Sequence, residues 1–207
     1  MSLRNKVDIA NSLVTTPELV AGLDVSYEAG TRRVVAVAIV VESRTLEVRD
    51  ISAAHGEVRF PYVPGLLAFR EVPILMEALE NLACRPEVLV CDGYGIAHPR
   101  RFGLASHMGV LTGLPSFGVA KSPFIGTFAE PGKRRGEWSP ITEDGETLGR
   151  VLRTQTGIRP VFVSIGHRIG LDQATDLTLI LSRRYRIPEV IRQADILSRE
   201  ALRKLRE

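Results

Sequence analysis

The order of extended and helical segments is the feature that most constrains the fold of this chain. Three strand-like segments come first, at Leu19–Tyr27, Arg33–Glu42 and Glu47–Phe60, separated by turn-length stretches. A helical pattern at Leu66–Leu82 and a short apolar strand at Glu87–Cys91 follow. Strands joined by short turns pair antiparallel, whereas alternation of strand and helix produces parallel crossovers. The sequence therefore predicts an α/β protein with a mixed sheet and helices on both faces.

The remaining segments extend that sheet and its helices. Asp144-Gly145 predicts the turn of a hairpin, and Pro73 predicts a kink or a restart in the first helix because proline lacks a backbone donor. The full order is typical of the ribonuclease H-like fold. The later predicted elements are a helix at Gly103–Thr112, a strand at Ser116–Ala120, the hairpin at Trp138–Thr154, a strand at Val161–Ser164, and helices at Asp172–Arg183 and Pro188–Arg203.

Composition sets limits on the class of protein. With 207 residues, 44% of them hydrophobic and 25% charged, the chain is expected to form one domain, 1–207, with a substantial core. No apolar run reaches the length that spans a bilayer, and no secretion signal is recognisable, so we expect a cytoplasmic protein without a membrane partner. Two cysteines provide neither a disulfide framework nor zinc-ligand spacing.

The charge distribution permits nucleic-acid binding without requiring it. The net charge is +3 and the pI about 9.1. Basic residues gather in two regions, and the favoured interpretation of each cluster is a solvated face. The clusters are Arg100, Arg101, Lys121, Lys133, Arg134 and Arg135 in the middle, and Arg183, Arg184, Arg186 and Arg192 near the end.

Three carboxylates are placed where they could share a site. Asp24 lies inside the first, apolar strand, where an ionised group is costly unless it is paired or bound to metal. Asp92 ends the strand at Glu87–Cys91, at the edge where α/β sheets bind ligands. If these two strands are neighbours, Asp24 and Asp92 converge, and the helix between them brings Glu71 close. Oxygen ligands suit Mg²⁺, and two such ions could hydrolyse a phosphodiester. The alternative for each acid alone is an ion pair or a cap.

Two further side chains are candidates beside these acids. His98 belongs to a glycine-rich segment that starts at Asp92, and it could orient a water molecule or contact a phosphate. Lys121 follows the strand at Ser116–Ala120 and could neutralise phosphate charge. The alternative for Lys121 is an ordinary surface lysine. His107, inside a predicted helix, is interpreted as structural.

These residues lie in motifs that resemble the endonuclease V family of deoxyinosine-directed nucleases with a ribonuclease H-like fold. The resemblance covers nearly the whole chain from Val20. It implies that Asp24, Glu71 and Asp92 bind Mg²⁺, which Mn²⁺ can replace, and that His98 and Lys121 assist catalysis. The motifs are VAGLDVSY (20–27), FPYVPGLLAFRE (60–71), DGYGIAHPRRFG (92–103), GVAKS (118–122) and VSIGHR (163–168).

The resemblance also implies how damaged nucleic acid is recognised. A wedge formed by Pro61, Tyr62, Val63 and Pro64 would enter the duplex, with the Tyr62 ring filling the space of an extruded base. The alternative for Tyr62 is an aromatic ring buried beneath a proline-rich turn. The extruded hypoxanthine would then lie in a pocket where backbone groups make most of the contacts that recognise it. The implied pocket residues are Gly65, Leu67, Gly93, Gly103 and Leu104.

Three positions depart from the family pattern. The family usually has glutamine at Tyr94, commonly proline at Ile165, and often histidine at Asp195. The implied function is cleavage of the second phosphodiester 3′ to deoxyinosine or another deaminated base in DNA, leaving 3′-hydroxyl and 5′-phosphate ends, by a monomer. Two alternatives remain: an inosine-directed ribonuclease, and a non-catalytic binder of damaged or branched nucleic acid. The acidic triad argues against the second.

Overall fold

Eight strands form one mixed sheet in the part of the chain that the computed structural model describes, residues 2–10, 13–58, 60–61, 63 and 65–205. Four α-helices and a short 3₁₀ helix at Leu3–Lys6 complete these residues. The strands are β1 (Leu19–Tyr27), β2 (Arg33–Glu42), β3 (Val48–Glu57), β4 (Val88–Asp92), β5 (Ser116–Ala120), β6 (Trp138–Glu143), β7 (Glu146–Leu152) and β8 (Val161–His167). The helices are α1 (Leu67–Glu80), α2 (Leu104–Thr112), α3 (Leu171–Leu181) and α4 (Glu189–Lys204).

The sheet has the order β3-β2-β1-β4-β5-β8-β7-β6. The first three strands form an antiparallel meander, and β4 and β5 are added parallel to β1. The remaining neighbours pair antiparallel, with β6 and β7 joined as the predicted hairpin. The prediction of a mixed sheet from the element order is therefore confirmed.

Strand β2 shows why this sheet needs helices on both faces. Alternate residues of a strand point to opposite faces. Val35, Val37, Ile39 and Val41 pack in one buried cluster with residues of α3 and α4, whereas Val34, Ala36, Ala38 and Val40 pack in a second with residues of α1 and α2. The unbroken apolar run of β2 is thus the signature of a strand buried on both sides.

Helix α1 differs from its prediction. It runs from Leu67 to Glu80 as one helix with Pro73 inside it, so the expected restart is wrong. Proline removes the bond that its own N–H would donate to the carbonyl four residues earlier, here that of Phe69. Pro73 and Phe69 both lie on the exposed side of the helix, where water can bind the free carbonyl. None of the described helices is long and apolar enough to cross a membrane.

Candidate active site

Asp24 and Asp92 stand side by side on adjacent parallel strands. The register pairs Leu23 of β1 with Cys91 of β4, so the residues that follow each of them, Asp24 and Asp92, are the next neighbours. Val90, two residues before Asp92, packs in the cluster that includes α4, which places both acids on the α4 face of the sheet. The predicted convergence of these two side chains follows from this pairing.

Asp24 is held by the last helix. The Ser198 hydroxyl of α4 donates to Asp24 Oδ2 over 2.8 Å, and the Ser26 and Ser198 hydroxyls lie 2.8 Å apart. Burial raises the pKa of Asp24 to about 6, and repulsion from Asp92 and Asp195 adds to that rise. The hydrogen bond from Ser198 and the charge of Lys121 oppose it. The site therefore holds Asp24 as a carboxylate that readily accepts positive charge.

Glu71 approaches the same edge from α1, on the opposite face of the sheet. Its side chain is buried, and Oε1 accepts a hydrogen bond from the Tyr27 hydroxyl over 2.9 Å. Burial raises the pKa of Glu71 to about 7, with further repulsion from Asp24 and Asp92. The three predicted acids thus act on one another electrostatically, and Glu71 is less able than Asp24 to remain ionised without a cation.

Lys121 forms an ion pair with Asp92. Its Nζ lies 2.5 Å from Asp92 Oδ2, and its backbone carbonyl accepts a bond from Arg186 over 2.7 Å. Burial lowers the pKa of Lys121, but the hydrogen bond to Asp92 and the attraction of the nearby carboxylates outweigh burial and leave the pKa raised. The side chain is about half exposed, so its charge also faces solvent beside the acids.

His98 is a buried, neutral ring at the edge of the same site. Its pKa is lowered by burial and by the charge of Arg100. Nδ1 accepts a hydrogen bond from the backbone N–H of Arg100 over 3.2 Å, so the neutral ring carries its proton on Nε2. That nitrogen faces Gly65, where an added Cβ would lie 3.8 Å away. His98 therefore presents one N–H donor to the space between Gly65 and Phe124.

A cavity of about 450 Å³ opens beside Asp92. Its lining unites all five residues of the implied base pocket with Asp92, His98 and Lys121. Gly103 shows how tightly this wall is built, because an added Cβ there would lie only 2.3 Å from the Tyr94 carbonyl oxygen. A side chain at Gly103 would displace the backbone, so main-chain groups form this wall. The five residues are Gly65, Leu67, Gly93, Gly103 and Leu104.

The implied wedge lies only partly within the described residues. Pro61 and Val63 are both exposed, and the Val63 carbonyl accepts a bond from the Leu66 N–H over 2.9 Å, which closes a turn ahead of α1. Tyr62 and Pro64 lie outside the described residues. The wedge remains a prediction from the resemblance.

Helix α4 contributes site residues that the sequence did not reveal. Ser198 lies on the apolar stripe of this helix, in line with Ile191, Ala194 and Leu202, and is fully buried. A serine on such a stripe is the signal that could have indicated it. Asp195, noted only as a departure from the family, interacts electrostatically with both Asp24 and Lys121. His107 is bonded to the Gly103 carbonyl, as a structural histidine would be, and also lines the cavity.

Most residues of the two basic clusters are exposed, as a solvated face requires, and none is buried. Two of the arginines also bond to the backbone: Arg135 donates to the carbonyls of Thr154, Leu179 and Ser182, and Arg186 donates to those of Lys121 and Pro160. Each satisfies backbone acceptors at the ends of helices and strands. Charge runs in a sequence do not show which carbonyls lie nearby.

A ribonuclease H-like sheet with neighbouring acids on its central parallel strands defines a nuclease of that fold class. The endonuclease V family model matches residues 1–196, and the chain belongs to that family. Endonuclease V of Streptomyces avermitilis is 56% identical over 185 residues, which cover 89% of this chain and 81% of the relative.

Two solved structures show the same relationship. The crystal structure of Streptomyces avermitilis endonuclease V superposes with a TM-score of 0.95 at 52% identity, covering 99% of this chain and 90% of that one. Endonuclease V of Ciona intestinalis, solved with a 24mer DNA containing an inosine followed by a ribo-adenosine, gives a TM-score of 0.86 at 31% identity, covering 98% and 94%.

Proposed function

We propose that this protein is a Mg²⁺-dependent DNA repair endonuclease that recognises deoxyinosine and hydrolyses the second phosphodiester 3′ to it, leaving 3′-hydroxyl and 5′-phosphate ends. The observation that carries the proposal is the cavity whose lining contains both Asp92 and the five pocket residues. The wall formed by these five residues offers main-chain groups to a base, and Asp92 and Lys121, which also line the cavity, face a phosphate. The inosine-containing DNA bound by the Ciona intestinalis relative supports this substrate class.

The donor set fits a hard divalent cation. Asp24, Glu71 and Asp92 provide carboxylate oxygens, the ligands that Mg²⁺ and Mn²⁺ prefer. Burial, with a smaller contribution from mutual repulsion, raises the pKa values of Asp24 and Glu71, so a bound cation would stabilise both carboxylates. Among the described residues, no group of three or more His, Cys, Asp or Glu side chains is already arranged to bind an ion. We infer that, when metal binds, Glu71 gives up its hydrogen bond from Tyr27 and Asp92 gives up its ion pair with Lys121, and that both carboxylates bind the metal instead.

The residues of this chain have separate tasks in the reaction. Bound Mg²⁺ would supply the charge that activates water and stabilises the leaving oxygen. Lys121, released from Asp92, would neutralise a phosphate oxygen, and His98 Nε2–H would donate to a phosphate or to the attacking water. Ser198 holds Asp24 in place from α4, and Tyr27 holds Glu71 from β1 until metal binds. The cavity would exclude water from the extruded base and orient it.

A second candidate substrate is inosine-containing RNA. The nucleotide that follows inosine in the DNA bound by the Ciona intestinalis relative is a ribo-adenosine, so that relative accommodates one 2′-hydroxyl beside the lesion. Comparing the rates at which this chain cleaves inosine-containing DNA and inosine-containing RNA would determine which of the two it prefers.

Nicking assays test the proposal directly. DNA and RNA oligonucleotides with one inosine, and matched strands with adenosine, are incubated with protein and Mg²⁺, and mass spectrometry identifies the ends. We expect Mg²⁺-dependent cleavage one nucleotide beyond inosine, with 3′-hydroxyl and 5′-phosphate termini. Equal cleavage of the adenosine strands, or binding without cleavage, would contradict it, and the second result would favour the non-catalytic alternative.

A further inference from the structure

Two aromatic side chains on different loops form a pair at the rim of the cavity. The rings of Tyr94, which follows β4, and Phe124, which follows β5, have centroids 5.1 Å apart at an interplanar angle of 32°. The His98 ring meets the other side of Phe124 at 5.3 Å and 65°. Separations of this size are those of favourable ring contacts. All three side chains line the cavity.

Tyr94 is held on two sides. Its ring packs against a buried apolar cluster that includes Ala120, Ile141 and Phe162. Its hydroxyl donates to the Ser122 carbonyl over 3.0 Å, which ties the loop after β4 to the loop after β5. The next residue, Pro123, restricts Ser122 to extended backbone and stiffens the approach to Phe124. Tyr94 is therefore well placed to fix the orientation of the Phe124 ring.

Phe124 itself does little for the core. Its side chain remains 40% exposed, although it is a large apolar residue. It also lies three residues after Lys121, the side chain that contacts Asp92. A rigid, exposed ring at the mouth of a cavity beside a phosphate-binding edge matches the way proteins bind nucleobases, since every base presents an aromatic face.

We propose that Phe124 is a stacking surface for the extruded base and that Tyr94 is the positioning residue that holds its ring. This assignment rests on the function proposed above and adds a preference within it. A bicyclic purine covers more of the Phe124 ring than a pyrimidine does, so the pair favours hypoxanthine over uracil among deaminated bases. Neither residue changes the charge of the site, so strand binding through phosphates is unaffected.

Cleavage kinetics of four variants test the proposal. Single-stranded oligonucleotides with one inosine or one deoxyuridine are the substrates, because extrusion from a duplex does not then obscure base contacts. Phe124→Leu removes the ring and keeps apolar bulk, and Tyr94→Phe removes only the hydroxyl. Tyr94→Leu and the double variant that carries both Tyr94→Leu and Phe124→Leu complete a double-mutant cycle. Phe128→Leu is the matched control, because Phe128 is also partly exposed and pairs with Phe162 away from the cavity.

The expected pattern separates stacking from a general loss of structure. Phe124→Leu raises KM for the inosine strand about tenfold, as loss of base stacking predicts, with a smaller effect on the deoxyuridine strand and kcat nearly unchanged. Tyr94→Phe raises KM about twofold, as loss of one neutral hydrogen bond predicts. The double variant is no worse than Phe124→Leu alone, because Tyr94 acts through Phe124. Phe128→Leu behaves as wild type.

Several results would overturn the proposal. Additive losses in the double variant would show that Tyr94 acts independently of Phe124. Equal losses on both substrates, or a wild-type KM in Phe124→Leu with an unchanged melting temperature, would show that Phe124 does not select the base. If the unmutated protein does not distinguish inosine from adenosine, the proposed function fails, and this inference fails with it. If the unmutated protein cleaves specifically at inosine but the variants do not show the expected pattern of KM values, the proposed function stands and only the role assigned to Tyr94 and Phe124 is wrong.

Discussion

The Ser198 hydroxyl donates to Oδ2 of Asp24 over 2.8 Å, joining residues 174 positions apart in the sequence. The Asp195 carbonyl lies 3.0 Å from the same hydroxyl, and when the single proton of Ser198 is directed to Asp24, the Ser198 oxygen can accept from Ser26, 2.8 Å away. The result is a relay of hydroxyls from β1 through α4 to the acid. Asp24 therefore depends for its position on the last helix of the chain as well as on its own strand.

Ser198→Ala removes the hydroxyl that bonds to Asp24 and leaves a small buried side chain on α4. It therefore tests the effect of the hydrogen bond separately from the packing of the helix. Loss of a hydrogen bond to a charged group costs about 1.5–3 kcal/mol, so we expect cleavage at pH 7 to fall roughly tenfold or more. The pKa of Asp24, no longer lowered by Ser198, should rise, so raising the pH should restore part of the rate. Rates are measured from pH 6 to 9.

A second buried serine provides the control for this change. Ser106 on α2 is fully buried, and its hydroxyl has no hydrogen-bond partner within the described part of the chain. Ser106→Ala should leave the rate and its pH dependence unchanged. Identical profiles for Ser198→Ala and wild type would show that the hydroxyl relay does not position Asp24.

Asp24→Asn should abolish cleavage and stabilise the metal-free protein. Since the pKa of Asp24 is raised to about 6, folding favours the protonated form, and stability is lost as pH rises from the unfolded pKa through 6. The amide removes that cost, so we expect a gain of about 3 kcal/mol in the free energy of unfolding at pH 8 and a much smaller one at pH 4. Urea denaturation in EDTA measures both. Asp172→Asn, at an exposed ion pair with Arg150, should produce no such gain.

The strands and the positions of the two aspartates were predictable because they depend on short runs of sequence and on the pairing of neighbouring strands. The β-branched run of Arg33–Glu42 specifies a buried strand, and Asp24 in β1 lies level with Asp92 at the end of β4 because these strands are parallel neighbours. The restart expected at Pro73 was wrong because only burial shows that its lost bond faces solvent. The role of Ser198 and the contacts of Arg135 were not predicted because their partners, Asp24 and distant carbonyls, are set by how helices dock on the sheet.

Glu71→Gln should preserve substrate binding and remove most turnover. The amide oxygen can still accept from Tyr27, so the side chain keeps its place, but the charge that would attract a cation is lost. We expect kcat to fall by about 10²-fold or more, with the affinity for an inosine-containing strand within about threefold of wild type. Anisotropy without Mg²⁺ and nicking with Mg²⁺ separate the two. A wild-type kcat would place Glu71 outside the metal site.

Binding of Mg²⁺ should itself depend on pH, in a direction that the acids determine. Glu71, with a pKa raised to about 7, and Asp24, at about 6, must each lose a proton before they can bind a cation. Both are ionised at pH 8, whereas at pH 6 Glu71 is mostly protonated and Asp24 about half so. The two steps together predict a loss of affinity of roughly 20-fold between pH 8 and pH 6.

Calorimetric titration of Mg²⁺ at several pH values, without nucleic acid, measures this loss independently of activity. Proton release is checked by repeating the titration in buffers of different ionisation enthalpy. Glu71→Gln should weaken binding at pH 8 and flatten the dependence to the smaller step of Asp24, because the amide does not titrate. Equal affinity at pH 6 and pH 8 would mean that neither Asp24 nor Glu71 exchanges a proton for the metal. An unchanged slope in Glu71→Gln would remove Glu71 alone from the set of ligands.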